Sequence, residues 1–187
     1  LGEITLIQST FNFHIDRREG NIRLNPEVGG GSLWDVGVYP LSFAQYIAGG
    51  TPFWVSGCQW VGDTGVDESF VGQMGFSSGC LAQISSSLRT PFYTHALVIG
   101  TRGRLELTKP FVGLDNNRRM IFYSIDGEPK ELPVPEKSLY LGEVQDMHAA
   151  ILDGTDTYLS LEETRNHIRT ITALYESANT GQVVQVG

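Results

Sequence analysis

From about residue 51 to residue 107 the chain alternates apolar and polar positions with a period of two, the pattern of strands that bury one face. Trp54, Ser56, Cys58 and Trp60 alternate with Phe53, Val55, Gly57 and Gln59. The same alternation returns in Glu68, Phe70, Gly72, Met74 and Phe76, in Cys80, Ala82, Ile84, Ser86 and Leu88, and in Tyr93, His95, Leu97 and Ile99. Short turns such as Ser77-Ser78-Gly79 separate these runs, which predicts a largely antiparallel meander, with a further hairpin turning at Asp126-Gly127. Ahead of it, residues 3 to 13 read as a strand, and residues 21 to 32, rich in Gly, Asn and Pro, read as an irregular loop. From Leu33 to Ala48 the apolar positions Leu33, Val36, Leu41, Ala44 and Ile47 take helical spacing, with Gly49-Gly50 as the stop and Pro40 complicating the first half. Two more helices are expected, one over Leu141 to Leu152 and one from Leu161 to about Asn179. Ser160 and Glu163 make a capping box for the second, Gly181 terminates it, and Leu161, Ile168, Ile171, Leu174, Tyr175 and Ala178 give it an apolar stripe. The predicted class is α+β: an open, largely antiparallel sheet with helices packed on one face.

Composition narrows the possibilities. A chain of 187 residues that is 41% hydrophobic and 18% charged is large enough for one core, so residues 1–187 are expected to form one domain. The net charge of −8 repels nucleic acid and anionic lipid. No apolar run approaches the roughly 18 to 20 residues that span a bilayer. Cys58 and Cys80 give no disulfide framework and no CxxC pair; they read as buried free thiols in a reducing cytoplasm, or as a pair facing each other on neighbouring strands.

Candidate chemistry is sparse. Gly75-Phe76-Ser77-Ser78-Gly79 matches the G-x-S-x-G of serine hydrolases, but a nucleophile elbow requires a strand followed by a helix, and alternation continues on both sides here, as in a hairpin turn. Gly29-Gly30-Gly31 is neither a dinucleotide fingerprint nor a P-loop; it is either a flexible approach to the helix or a place where a flat ligand lies close to backbone. His14, His95, His148 and His167 form no metal-ligand spacing, so no metal is expected. Asp35 and Tyr39 remain, four apart at the start of the first helix. They either converge on one small molecule from a shared helix face or serve as a helix-capping Asp and a half-buried Tyr.

The run Asn21-Ile22-Arg23 followed by Gly29-Gly30-Gly31-Ser32-Leu33-Trp34-Asp35-Val36-Gly37-Val38-Tyr39 resembles the hallmark of the glucose-fructose oxidoreductase, inositol dehydrogenase and MocA family. The nearest branch contains glucose-fructose oxidoreductase, NADP-dependent xylose dehydrogenase and the dihydrodiol dehydrogenases. Gly65-Val66-Asp67-Glu68, Ile99-Gly100-Thr101-Arg102-Gly103, Tyr140 with Glu143-Val144, and Ala173 to Ala178 with Thr180-Gly181 follow in family order, so the resemblance covers nearly the whole chain. It implies that residues 1–187 are a C-terminal substrate-binding and oligomerisation domain. The start at Leu1-Gly2-Glu3-Ile4 corresponds to the passage from an N-terminal, NAD(P)-binding Rossmann domain that carries GxGxxG and Glu-Lys-Pro and is absent here.

By the same resemblance, Ile22, Arg23 and Tyr140 touch the cofactor from this side, while Asp35 and Tyr39 line the substrate pocket; Ile22 stands where many members carry Trp. The implied reaction moves hydride between nicotinamide and a sugar, polyol or dihydrodiol hydroxyl. Tyr39 is then the proton acceptor or donor, and Asp35 orients a hydroxyl. A phenol with a pKa near 10 needs a neighbouring cation to act as a base at neutral pH, which the family's Lys on the other domain provides. The other class of reading is a non-catalytic oligomerisation or ligand-binding domain of the same fold. The presence of both Asp35 and Tyr39 favours the enzyme half, inactive by itself. A second sheet face, carrying Trp54 or Trp60 and Phe70 or Val71 according to register, is expected to join two copies in a symmetric dimer.

Overall fold

The computed structural model describes all residues except 17–19, 113–117, 135–137, 139 and 187. Among the described residues one open sheet holds β1 (Ile4–His14), β2 (Trp54–Val61), β3 (Asp67–Gly75), β4 (Leu81–Ser87), β5 (Arg89–Gly100), β6 (Gly103–Thr108), β7 (Met120–Ser124), β8 (Lys130–Leu132) and β9 (Val184–Gln185). The spatial order is β8-β7-β6-β5-β1-β4-β3-β2-β9. The pairs are antiparallel except β1 with β4, which run parallel with Ile7 beside Ala82. The sequence suggested an uninterrupted meander; instead β1 inserts between the consecutive strands β4 and β5, and Ile7 becomes fully buried there.

Register decides which alternating set is the core. Val55, Phe70, Met74, Ala82, Ile84 and Ile7 lie on one face, covered by α1 (Val38–Ala48) and α3 (Leu161–Thr180), which contribute Leu41, Ala44, Ile171 and Leu174. Burying a side chain such as Leu174 stabilises the fold by about 1.5–3 kcal/mol relative to its exposure. Contact with α3 is close because Gly57 lacks a Cβ: one placed there would lie 2.5 Å from the Leu174 carbonyl oxygen. The freed space lets the Gly57 N–H donate to Ser177 Oγ at 2.9 Å. The predicted capping box of α3 is present, and Gly181 ends the helix at φ 69°.

Several expectations need correction. The helix α2 (Leu141–Leu152) buries no residue, and Val144, Ile151 and Leu152 are exposed, so only two of the three expected helices pack on the sheet. On α3 the buried set begins at Thr170, which leaves Leu161 and Ile168 of the predicted stripe exposed. The first expected helix is divided: Leu33–Gly37 is a π-helical turn, and α1 follows it. Pro40 then falls in the first turn of α1, where a missing N–H costs little. Gly75 to Gly79 is a hairpin turn, closed by the Gly79 N–H on the Phe76 carbonyl at 2.9 Å, not a nucleophile elbow. Both cysteines are free; Cys80 is buried as expected, but Cys58 is exposed. No helix among the described residues is long and apolar enough to cross a membrane.

The opposite sheet face is uncovered. It carries Trp60, Val71 and Leu81, all about half exposed, set among polar cross-strand pairs such as Gln8 with Gln83 and Thr10 with Ser85, each at 2.7 Å. Register settles the earlier alternatives: Val71 lies on this face and Phe70 on the covered one, while Trp54 and Trp60 share the open side.

Candidate functional site

The site is built where the irregular loop enters the helix. Asn21 caps a short 3₁₀ turn, Ile22–Leu24, with its side chain accepting from the Arg23 N–H. Arg23 Nε donates to Asp35 Oδ2 at 2.8 Å, joining the loop to the π-helical turn; the two side chains are 43% and 23% exposed, so the pair faces solvent on one side. The guanidinium also lies over the Phe13 ring, 5.9 Å from its centroid. Ile22, beside it, is two-thirds exposed.

Gly29, Gly30 and Gly31 do not form an anion cradle. The Gly30 N–H donates to the Asn25 carbonyl at 2.9 Å and the Gly31 N–H to the Arg23 carbonyl at 3.0 Å, so both amides are committed within the chain. A Cβ on Gly30 would meet the carbonyl oxygens of Arg23 and Asn25, each at 2.7 Å. Close packing of the loop on itself accounts for the glycine at position 30.

Tyr39 is partly exposed, and its ring packs against Phe11 and Phe111 at centroid distances of 5.5 and 6.0 Å. Burial holds its phenol above the ordinary tyrosine pKa, reinforced by the nearby Tyr140, Asp35 and Glu143. Tyr39, Asp35 and Tyr140 are thus gathered in one neighbourhood, with Arg23 attached through Asp35. Tyr140 is exposed at the start of α2, and Glu143 follows in its first turn. Each of these groups opposes formation of phenolate, so the described residues around Tyr39 favour the protonated phenol.

A cavity of about 770 Å³ has Tyr39, Phe43, Phe111, Tyr46, Tyr158 and His167 among its walls. The Tyr158 hydroxyl donates to Tyr46 Oη at 2.8 Å, and His167 Nδ1 meets Gln45 Oε1 at 2.7 Å. Burial lowers the His167 pKa, and because the Gln45 amide oxygen can only accept, the proton in this contact sits on His167 Nδ1. Asp35 does not line this cavity. The two residues expected to share one pocket therefore flank it differently: Tyr39 forms its wall, while Asp35 is turned to Arg23.

Sequence reasoning did not anticipate the groups that hold this segment in place. Ser32 precedes the π-helical turn with helical backbone angles and no side-chain cap of its own. Its hydroxyl donates instead to Asp67 Oδ2 at 2.7 Å, and the Leu33 N–H donates to the same oxygen at 2.9 Å. The Tyr175 hydroxyl donates to Asp67 Oδ1 at 2.7 Å, and its ring stacks on Trp34 with centroids 6.2 Å apart. Burial raises the Asp67 pKa against the opposing pull of these donors, and the neighbouring carboxylate raises that of Tyr175, on top of burial. Asp67 and Tyr175 belong to the short motifs quoted above, but nothing local marks them as partners across 108 residues. Phe11 and Phe111 carry no local signal of a site either.

No group of three or more metal-ligating side chains occurs among the described residues. For a nicotinamide cofactor, the exposed Ile22, Arg23 and Tyr140 offer one apolar contact, a cation and a ring beside Tyr39, which fits one side of a flat ring. The committed glycine amides leave no pyrophosphate cradle in the loop.

The open mixed sheet with helices on one face is a fold shared with solved oxidoreductases. The aldose-aldose oxidoreductase of Caulobacter crescentus superposes with a TM-score of 0.88 at 25% identity, over 99% of this chain and 56% of that one. A 3-ketoreductase from Actinomadura kijaniata shares the fold, with a TM-score of 0.81 at 21% identity over 95% of this chain and 55% of that one. The model of the GFO/IDH/MocA C-terminal domain matches residues 1–106. NADP(+)-dependent D-xylose 1-dehydrogenase 2 of Haloferax volcanii is 31% identical over 186 residues, covering 100% of this chain and 57% of the relative. The chain belongs to the Gfo/Idh/MocA oxidoreductase family, and it spans little more than half the length of these relatives.

Proposed function

We propose that this chain is the substrate-binding and assembly half of an NAD(P)-dependent oxidoreductase acting on a sugar, polyol or dihydrodiol hydroxyl, with the nucleotide held mainly by a second domain. The observation that carries the reading is Tyr39 in the wall of a cavity with aromatic sides, with Asp35 and Tyr140 near enough to act on its phenol. Its support is kinship with a D-xylose 1-dehydrogenase and an aldose-aldose oxidoreductase. Aromatic walls suit the apolar face of a sugar ring or an aromatic diol, while hydroxyl-bearing groups at the rim suit polar substituents.

In this reading Tyr39 gives a proton to the carbonyl oxygen during reduction, the direction its protonated phenol favours. During oxidation it takes the hydroxyl proton, provided a cation from the second domain opposes the influence of Tyr140, Asp35 and Glu143. Asp35, fixed by Arg23, orients a neighbouring substrate hydroxyl. Ile22, Arg23 and Tyr140 contact the nicotinamide, which when bound supplies or accepts the hydride. The two free thiols suit a cytoplasmic location.

With the Gly30 and Gly31 amides committed within the chain and the pyrophosphate assigned to the second domain, the 187-residue chain should bind NADP⁺ with a Kd of about 1 mM or weaker. Isothermal titration tests this; micromolar affinity for the chain alone would overturn the division of labour between domains. The open sheet face with Trp60, Val71 and Leu81 is proposed to join two copies in a symmetric dimer. Sedimentation should therefore find a dimer at about 10–100 µM, a range suited to a moderate interface, and a monomer there would count against that face as the contact.

A further inference from the structure

Asp67 is 3% exposed at the first residue of β3 and lies outside the Tyr39 cavity. A buried carboxylate is costly unless its hydrogen bonds are satisfied, and apolar packing would stabilise this corner of the sheet with less desolvation. Its partners are particular. Helix starts leave N–H groups without acceptors, and here the Leu33 N–H is taken by Asp67 Oδ2, while Asp67 Oδ1 accepts from the Tyr175 hydroxyl, whose ring stacks on Trp34. With the Ser32 hydroxyl, one carboxylate therefore holds residues 32, 33 and 34, directly or through Tyr175, and Asp35 is the next residue. Just before them, the Gly31 N–H holds the Arg23 carbonyl, and the Asp35 N–H donates to the Gly31 carbonyl at 3.0 Å. Both members of the Arg23–Asp35 pair are thus hung from the segment that Asp67 anchors.

We propose that Asp67 is a positioning residue: through Ser32, Leu33 and Tyr175 it sets where Asp35 and Arg23 meet, and thereby how Asp35 orients the substrate. The proposal rests on the substrate-orienting reading of Asp35 given above. Asp67→Asn keeps the shape and one accepting oxygen but presents an amide N–H₂ to the Tyr175 hydroxyl, which then loses its acceptor.

Two readouts test it. In the 187-residue chain, the ¹⁵N–¹H resonance of Arg23 Nε, hydrogen-bonded to Asp35, should move toward the position of an unpaired arginine in Asp67→Asn. In the protein that joins this chain to a nucleotide-binding domain, the same variant should raise KM as well as lower kcat, with kcat/KM falling on the order of tenfold, because small misplacements of orienting groups are costly in rate. A lower melting temperature with the Arg23 resonance unmoved and KM within about twofold of wild type would make Asp67 a fold stabiliser only and overturn the proposal. Should Asp67→Asn fail to fold, Tyr175→Phe removes one hydroxyl while keeping the ring against Phe70 and Trp34. It should move the same resonance in the same direction, and an unmoved resonance overturns the proposal equally. If Tyr39→Phe and Asp35→Asn both leave turnover intact, the functional reading fails on its own, while the Arg23 resonance still decides whether Asp67 positions the pair.

Discussion

Tyr39→Phe, made in a protein that joins this chain to the proposed nucleotide-binding domain, should lower kcat by about 10²- to 10⁴-fold, the usual worth of general acid or base assistance. The melting temperature should stay near that of wild type, because the ring keeps its contacts with Phe11 and Phe111 and only a partly exposed hydroxyl is lost. Asp35→Asn should act differently, raising KM as well as lowering kcat, since it disturbs orientation more than proton transfer. A pH signature accompanies the rate loss. Burial and the negative or ionisable neighbours of Tyr39 hold its phenol protonated through the ordinary pH range. Oxidation, which needs the deprotonated form, should accelerate as pH rises, and the Phe variant should lose that dependence. If Tyr39 and Asp35 had only structural roles, kinetic changes would be modest and would track loss of stability instead. Retention of more than about a third of wild-type kcat, with chemistry rate-limiting, would remove Tyr39 from the proton-transfer role.

Gly31→Ala should destabilise the chain far more than Gly29→Ala. Gly31 has a φ of 125°, outside the range side-chain-bearing residues adopt easily, and a Cβ there would lie 2.1 Å from Asp67 Oδ1. Backbone strain of about 1–3 kcal/mol adds to a similar overpacking cost, since the contacted oxygen is fixed by Tyr175 and cannot swing away. A loss of about 2–5 kcal/mol corresponds to a fall in melting temperature of roughly 5–15 °C for a chain of this size. Gly29 has a φ of 78° with open space around its missing Cβ, so Ala there should cost only about 1–2 kcal/mol. Thermal melts of the two variants would separate them; equal losses would mean that the close approach of Gly31 to Asp67 does not constrain the loop.

Much of the sheet was legible because parity along a strand reports burial directly. Phe70 and Met74 share a face, as do Ala82 and Ile84, as their alternation suggested, but which face is covered was left open until register placed them in the core. Partner choice was not legible, because alternation says which side a residue faces and nothing about which strand lies beside it. That is why β1 between β4 and β5, and the short edge strand β9, emerge only from the structure. The spacing of α2 is amphipathic, yet Val144 and Ile151 are exposed in the described chain, so periodicity there marked a helix but not what covers it. At the site, Ile22, Arg23, Asp35, Tyr39 and Tyr140 were singled out through the family resemblance. The Arg23–Asp35 bond and the Asp67 anchor were missed because they join residues 12 and 34 to 108 positions apart, with no local spacing to reveal them. The triple glycine was left open between a flexible approach and a ligand platform, whereas Gly30 and Gly31 pack tightly against the chain's own carbonyls and Asp67.

The central claim, that this chain supplies the substrate side of a nicotinamide-linked alcohol oxidation completed by a second domain, is tested most directly by one assay. The joined protein and the 187-residue chain would each be mixed with NADP⁺ and a panel of aldoses, polyols and dihydrodiols, and reduced nicotinamide followed by absorbance. The account predicts substrate-dependent reduction by the joined protein and none by the chain alone. Turnover by the chain alone, or none by the joined protein on any member of the panel, would contradict it.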